Sequence, residues 1–353
     1  MTPLYYITSF VGALVLSLLA TPLARRLALK LDFVDHPGGR KIHSIVTPYL
    51  GGVAIYIGFV TVVVYIVGFD QQMIRQSSAL LAGATLLLIF GLWDDRNGMD
   101  PRVKLAGQLC AGLVVIASGM RFSLTGSWPI DVFVSLLWIV GLSNAVNLLD
   151  NMDGLSSGLV AISAVFLFLL AACEGQFLVA SMASALIGAC LGFLRYNFSP
   201  ASIFMGDAGS LFLGFTLAVL GLKLRLPLPD HLSFLVVVLV LGVPILDTTL
   251  VTTHRIANGR PVSLGGQDHC SHRLVALGLT RRSAVLSLYA LSISYGVFAL
   301  AVYFSFPSSG WVVTALAMVV TLVVFSKLGS VVVYPPVRPP AVTAAGERRP
   351  DAS

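Results

Sequence analysis

The chain has 353 residues, 57% of them apolar and only 11% charged, with a mean hydropathy of +0.90. Average soluble domains carry about 25% charged residues, so a water-soluble globule is excluded, and so is extended disorder over most of the length. The net charge of +6 would suggest nucleic acid in a soluble protein; here the 22 Lys and Arg stand between long uncharged runs and read as membrane topology instead.

A helix crossing about 30 Å of hydrocarbon needs roughly 20 apolar residues. Uncharged stretches near that length cover residues 4–23, 50–69, 76–93, 105–120, 132–149, 154–173, 175–194, 208–222, 232–246 and 283–326. The first has no basic segment before it and reads as a retained span, not a cleaved leader. The last is too long for one span and is divided at Phe306-Pro307-Ser308-Ser309-Gly310. The expectation is an all-α polytopic integral membrane protein of about eleven transmembrane helices, because helices satisfy every backbone group without water. Residues 1–334 form a single transmembrane catalytic domain on this reading. Residues 335–353 are proline-rich and polar and read as a disordered cytoplasmic tail. Cys110, Cys173, Cys190 and Cys270 are scattered without a CxxC, so neither a zinc site nor a disulfide framework is indicated.

Lys and Arg concentrate in the loops on the cytoplasmic side. Numbering the loops alternately leaves only Arg75, Arg121, Lys223 and Arg225 on one side, against all the rest of the 22. The N-terminus is therefore expected outside, and the C-terminus in the cytoplasm.

Polar chemistry gathers in five segments of the basic side. The first runs Asp32-Phe33-Val34-Asp35-His36-Pro37-Gly38-Gly39-Arg40-Lys41-Ile42-His43, followed by Pro48 and Gly51-Gly52. It is either a positively charged inside loop or an anion-binding one. The second pairs Asp94 with Asp95, whose repulsion a divalent ion or Lys104 would relieve. In the third, Asn144, Asn147 and Asp150 are spaced to share one helix face. Such a stripe either bonds between helices or supplies oxygen ligands to a hard ion such as Mg²⁺. The fourth, Phe204-Met205-Gly206-Asp207-Ala208-Gly209, opens a helix, where Asp207 could be no more than a cap. The fifth, Asp268-His269-Cys270-Ser271-His272-Arg273, suits phosphate binding; its two histidines have no third zinc ligand at the usual spacing. Asp247, near a helix end, is expected to pair with Arg255.

Five ordered blocks, DHPGGRKIH with PYLGG, WDD with Lys104, NAVNLLDNMDGL, FMGDAGSLFLG and DHCSHRL, span residues from about 4 to 326 of a chain that resembles the polyprenyl-phosphate N-acetylhexosamine-1-phosphate transferases, of glycosyltransferase family 4 type. That family moves a sugar-1-phosphate from a UDP-sugar donor to a polyprenyl phosphate acceptor and releases UMP. The resemblance implies that Asn147 and Asp207 are ligands of Mg²⁺, with Mn²⁺ a substitute. It implies that Asp94 and Asp95 are the catalytic pair, with Asp94 a proton acceptor, a metal holder or a covalent phosphoryl carrier. Lys104, His269 and Arg273 would contact phosphate. Asn144, Asp150, Asn151, Met152, Asp153 and Phe204 would line the substrate pocket. Asn151 stands where relatives usually have Gly, and Ser271 precedes His272 where relatives have adjacent histidines; the role therefore passes to His269 before His272. Thr47-Pro48-Tyr49-Leu50-Gly51-Gly52 replaces the TPTMGG-like block of the muramoyl-pentapeptide branch, which favours the N-acetylglucosamine branch, with undecaprenyl or decaprenyl phosphate as acceptor. The implied location is the bacterial plasma membrane, and a homodimer is a family expectation. A phospho-N-acetylmuramoyl-pentapeptide transferase is the alternative within the family; a transporter or lipid flippase is the alternative outside it.

Overall fold

The computed structural model describes residues 2–35, 46–68, 74–262, 265–305 and 307–333. The basic cluster at 36–43, Phe306 and the tail at 335–353 lie outside the described residues. In chain order the elements are α1 (Thr2–Lys30), β1 (Val34–Asp35), β2 (Thr47–Pro48), α2 (Gly51–Val67), α3 (Ile74–Asn97), α4 (Pro101–Ala117), α5 (Trp128–Leu148), α6 (Leu155–Cys173), α7 (Phe177–Asn197), α8 (Gly206–Lys223), α9 (Asp230–Val240), α10 (Gly242–Ala257), α11 (Cys270–Ala276), α12 (Arg281–Phe304) and α13 (Pro307–Gly329). Among the described residues all regular structure is helical apart from the β1–β2 ribbon, an antiparallel pair with Val34 opposite Pro48.

Among the described residues, eight helices are long and apolar enough to cross a membrane: α1, α3, α5, α6, α7, α8, α12 and α13. The bent pair α9–α10 makes nine, and α2 is a shorter apolar helix. The run at 232–246 is not the single straight helix its composition suggests. It breaks at Leu241 and turns through 79° between α9 and α10. Gly242 there lies against the Tyr295 ring, where an added Cβ would come within 2.8 Å. Pro244 follows in the first turn of α10, a position where its missing N–H is harmless.

The layout places α8 at the centre. Nearly all of α8 is buried, and α2, α3, α5, α6 and α7 pack around it. Outside this core, α1 packs on α7 and α2, α12 packs on α6 and α9, and α13 packs on α12. The outer helices show what α8 lacks: α1 exposes Ile7, Val11, Val15, Leu19, Leu23 and Leu27, one every four residues, as a face for lipid. Polar side chains in the interior bond to backbone carbonyls of neighbouring helices, as apolar surroundings require. Ser17 Oγ donates to Ala189 O (2.8 Å), Ser163 Oγ to Val240 O (3.0 Å) and Trp138 Nε1 to Ala218 O (3.1 Å).

The two ends of the bundle differ in charge. The four outlying basic residues collect at one end. Arg75 Nη2 donates to Ala117 O (2.9 Å), Lys223 Nζ donates to Gln76 Oε1, and Arg225 Nη2 reaches Arg121 O (3.4 Å). The described parts of the polar segments meet at the other end, around the start of α8.

Candidate active site

The start of α8 is clamped from two sides. Gly51 N donates to Phe204 O and Gly52 N to Met205 O (both 3.0 Å), while Phe204 N donates to Pro48 O (2.9 Å). The PYLGG and FMGD blocks are thus one backbone-paired unit. Gly52 permits it, since a Cβ there would collide with the backbone of Gly209. On the other side, the Asp95 carboxylate accepts from Asp207 N (2.7 Å) and Ala208 N (3.1 Å), taking up orphan N–H groups of the first turn. Gly206 adopts φ +73°, and a side chain there would run into that carboxylate. Asp95 is therefore the cap that aims Asp207, rather than one half of an equivalent pair with Asp94.

Asp94 faces Lys104, whose Nζ lies 2.9 Å from Asp94 Oδ2. The same ammonium pairs with Asp207 Oδ2 and donates to Asn147 Oδ1 (3.2 Å). Asn147 Nδ2 donates to Asp207 Oδ1 and to Ser210 Oγ (both 2.8 Å). Four helices, α3, α4, α5 and α8, thereby contribute one side chain each to a cluster of Asp94, Lys104, Asn147 and Asp207. The Asp207 side chain keeps 33% of its surface exposed, the most of the three charged members.

Asn144 does not share this cluster. Its amide pairs reciprocally with that of Gln108, at 2.8 and 3.1 Å, and it is not among the residues lining the pocket. The substrate role expected for Asn144 gives way to a helix–helix tie between α5 and α4. Past the end of α5, Asp150, Asn151, Met152 and Asp153 line the pocket. Asn151 Oδ1 accepts from Ser271 Oγ (2.7 Å), Asp153 Oδ2 accepts from Ala201 N (3.0 Å), and Asn197 Oδ1 accepts from Gly154 N (3.0 Å). Asp150 lies outside the helices; burial, then the charges of Asp207, Asp95 and Asp153, push its carboxyl well above the ordinary range.

The segment after α10 is organised by two buried acid–base contacts. Arg255 forks onto Asp268, Nε to Oδ2 and Nη2 to Oδ1, both at 2.8 Å. Asp247 accepts from Cys270 N (2.6 Å) and pairs with His269 Nδ1 (2.7 Å). The expected Asp247–Arg255 pair is not formed: the acid one turn outward, Asp268, takes the guanidinium. Arg273 is also redirected. It is fully buried, with Nε on Asp268 O (2.8 Å) and Nη1 on Leu328 O (2.9 Å) and Val331 O (3.2 Å), so it anchors the end of α13 and does not line the pocket.

A cavity of about 870 Å³ joins these parts. It is lined by Asp95, Asn147, Asp150, Asn151, Met152, Asp153, Phe204 and Asp207 from the expected set. Asp94 and Lys104 sit directly behind Asp207. The order of the two histidines is reversed: His272 lines the cavity, while His269 stands behind it, 6.2 Å away between ring centres. Burial, with His269 and Arg281 nearby, holds His272 down at about 4, so it is neutral near pH 7. Sequence reasoning missed Tyr49, Asn197, Phe198, Arg281 and Arg282 as lining residues. The run Arg281-Arg282 directly after Leu279-Thr280 was the visible signal for the last two.

The donor set fits Mg²⁺. Among the described residues no three His, Cys, Asp or Glu side chains form a metal cage. Mg²⁺ does not need one, since it keeps several waters and takes one or two carboxylates plus substrate phosphates. Asp207 and Asn147 offer hard oxygens, and the Lys104 ammonium already lies against both, which marks the spot as one that holds positive charge.

Residues 77–225 match the model of glycosyl transferase family 4. The chain is 33% identical to the probable undecaprenyl-phosphate N-acetylglucosaminyl 1-phosphate transferase of Bacillus subtilis (strain 168), over 91% of this chain and 90% of that one. It is 32% identical to the decaprenyl-phosphate N-acetylglucosaminephosphotransferase of Mycolicibacterium smegmatis, over 88% and 86%. With the undecaprenyl-phosphate alpha-N-acetylglucosaminyl 1-phosphate transferase of Escherichia coli (strain K12) it shares 28% identity, over 78% and 79%. Carboxylates, amide and lysine converging at one end of a polytopic helical membrane protein, together with these full-length likenesses, place the chain in glycosyl transferase family 4, in its branch of polyprenyl-phosphate N-acetylglucosaminyl-1-phosphate transferases.

Proposed function

We propose that this protein transfers N-acetylglucosamine-1-phosphate from UDP-N-acetylglucosamine to undecaprenyl or decaprenyl phosphate, releasing UMP, as the first membrane step of a cell-envelope polysaccharide pathway. The observation that carries this reading is the Asp94–Lys104–Asn147–Asp207 cluster behind a cavity large enough for a sugar nucleotide. Asp207 and Asn147 would hold Mg²⁺ there, with Mn²⁺ as a substitute. When bound, the ion neutralises charge on the donor diphosphate and the departing UMP.

The chain's own residues account for the rest. Asp95 fixes the start of α8 and with it the direction of Asp207. Lys104 offsets the repulsion between Asp94 and Asp207 and holds both in place for anionic reactants. A phosphate monoester has its second pKa near 6, so the acceptor is mostly dianionic at neutral pH. Its oxygen attacks the β-phosphorus, the one bearing the sugar. The bond from that phosphorus to the bridging oxygen breaks, and its electron pair leaves with UMP. Asp94, at the Lys104 ammonium, takes any residual proton from the acceptor.

The site is read as cytoplasmic, in a plasma-membrane protein of eleven spans, with α2, α4 and the bent α9–α10 pair joining the eight long helices. Its N-terminus is read as external and its C-terminus as internal. The gathering of Arg75, Arg121, Lys223 and Arg225 at the end away from the cavity supports this orientation. The deciding experiment is a donor panel with purified protein, polyprenyl phosphate and Mg²⁺ in detergent. UMP release from UDP-N-acetylglucosamine is expected, with little from UDP-N-acetylmuramoyl-pentapeptide. Release only from the latter moves the protein to the other branch. No UMP from any donor returns the reading to a transporter.

A further inference from the structure

The basic side chains that line the cavity, among the described residues, are Arg281, Arg282 and His272. His272 is neutral near pH 7. Among the described residues, Lys104 is committed to Asp94 and Asp207, Arg255 to Asp268, and Arg273 to backbone carbonyls. Arg281 and Arg282 thus supply the permanent positive charge that faces the cavity from the described residues. They share it with Asp35, Asp95, Asp150, Asp153 and Asp207, yet neither makes an ion pair among the described residues.

Their position is unfavourable for the helix that carries them. Both stand in the first turn of α12, at the end where the helix dipole favours acids over bases. The helix needs nothing from them, since Thr280 already caps it by accepting from Ser283 N (3.1 Å). Arg282 is held with its guanidinium carbon 5.2 Å from the centre of the Phe198 ring. An aromatic ring takes up none of its ordinary hydrogen-bonding capacity, so the N–H donors remain for a further partner. Two adjacent arginines, uncompensated and one of them held in place by an aromatic ring, form a fork suited to a phosphate group.

We propose that Arg281 and Arg282 form a phosphate clamp on the α12 side of the cavity. It receives a phosphate group of one reactant, either the pyrophosphate of the sugar-nucleotide donor or the monoester of the lipid acceptor. The clamp rests on the reading of the cavity as a transferase site. It divides the work of the site: the α8 side handles one anion through its acids and a metal ion, and the α12 side holds an anion directly.

The test is equilibrium binding of UDP and, separately, of undecaprenyl phosphate in detergent to the wild type, Arg281→Gln/Arg282→Gln and Arg281→Lys/Arg282→Lys. Steady-state KM for each substrate is measured alongside. Loss of the two charge-assisted contacts should raise Kd about tenfold or more for the clamped anion. A rise confined to UDP assigns the clamp to the donor, and one confined to undecaprenyl phosphate assigns it to the acceptor. The lysine variant should fall between, because it keeps the charge but loses the fork. Single Gln variants, each expected to weaken binding about threefold, replace the double one if it is not monodisperse. Unchanged Kd for both anions in folded protein overturns the clamp. Because binding is read without turnover, absence of UMP release by a wild type that binds either anion overturns the transferase reading alone. A wild type that binds neither anion overturns both.

Discussion

On the α3–α8 side of the cavity, Asp94 and Asp207 share one ammonium, that of Lys104, and Asp95 adds a third carboxylate at the start of α8. On the α10–α11 side each acid is matched to its own base, Asp268 to Arg255 and Asp247 to His269. The first side carries excess negative charge at the cavity wall. The second is paired off and buried. An unbalanced cluster stores a demand for another cation or a proton, which is what chemistry uses. A paired-off one mainly fixes the backbone, here so that His272 and the start of α12 face the cavity. The two sides should therefore respond differently to the loss of a single charge: the first in turnover, the second in stability.

The largest effect is expected at Asp207. Asp207→Ala removes the proposed metal carboxylate and leaves Lys104 and Asn147 without their shared partner. Turnover should fall about a thousandfold or more, the scale of losing a main electrostatic stabiliser of the transition state. Membrane insertion and the thermal midpoint should change little. Near-normal UMP release from purified Asp207→Ala would remove the functional contrast between the two sides.

The opposite behaviour is expected of Arg255→Met. It takes from the buried Asp268 carboxylate its bidentate guanidinium partner, which costs about 3 kcal/mol or more. The thermal midpoint should drop clearly, while turnover per folded molecule stays within a few-fold well below that midpoint. A stable Arg255→Met protein with abolished turnover would make this side catalytic as well.

Much of this contrast was legible in the residues. Each of the eight long apolar helices falls on an uncharged run, and the described parts of the polar blocks meet at one end of the bundle. Lys104, Asn147 and Asp207 were expected together and are together. What could not be read was which partner each charge chooses. Asp247 was expected on Arg255 because the two lie eight residues apart along one helix; instead the chain folds Asp268 and His269 back onto that helix, and the longer-range partners win. Arg273 sits in a block that suits phosphate, but its guanidinium is drawn inward to the last carbonyls of α13, a contact across 55 residues. Asn144 and Asn147 do share one side of α5, and Asp150 lies just past its end. The stripe nonetheless divides, because Gln108 of α4 offers Asn144 a complete amide partner before the cavity begins. The bend at Leu241 escaped notice because both halves are apolar, and hydropathy does not report direction.

A smaller effect separates the two acids of the WDD block. Asp95 caps α8 with both oxygens, so Asp95→Ala should cost about 1–2 kcal/mol. Asp95→Asn keeps one acceptor and should recover part of that stability. Asp94 caps nothing, and Asp94→Asn should leave the thermal midpoint unchanged while lowering turnover. Equal stability losses at the two positions would contradict the division between an aiming residue and a reacting one.

The smallest effect is electrostatic and has a definite sign. Asp150 has its carboxyl raised by burial and by Asp207, Asp95 and Asp153, so the folded protein binds this proton more tightly than the unfolded chain does. Its protonated form stabilises the fold fully below the ordinary carboxylate range, and that contribution is lost as pH climbs through the raised value. Asp150→Asn keeps the neutral shape at every pH. Its thermal midpoint should therefore exceed that of the wild type at pH 8 and match it more closely at pH 5. The slope of the difference has a ceiling of about 1.4 kcal/mol per pH unit, the limit for one proton. Bound Mg²⁺ should shrink the gap, because a cation at Asp207 cancels part of the repulsion that raises Asp150. A midpoint difference that is flat from pH 5 to 8, or that grows when Mg²⁺ is added, would mean that the acids on this side do not act on one another, and the excess charge attributed to it would have to lie elsewhere.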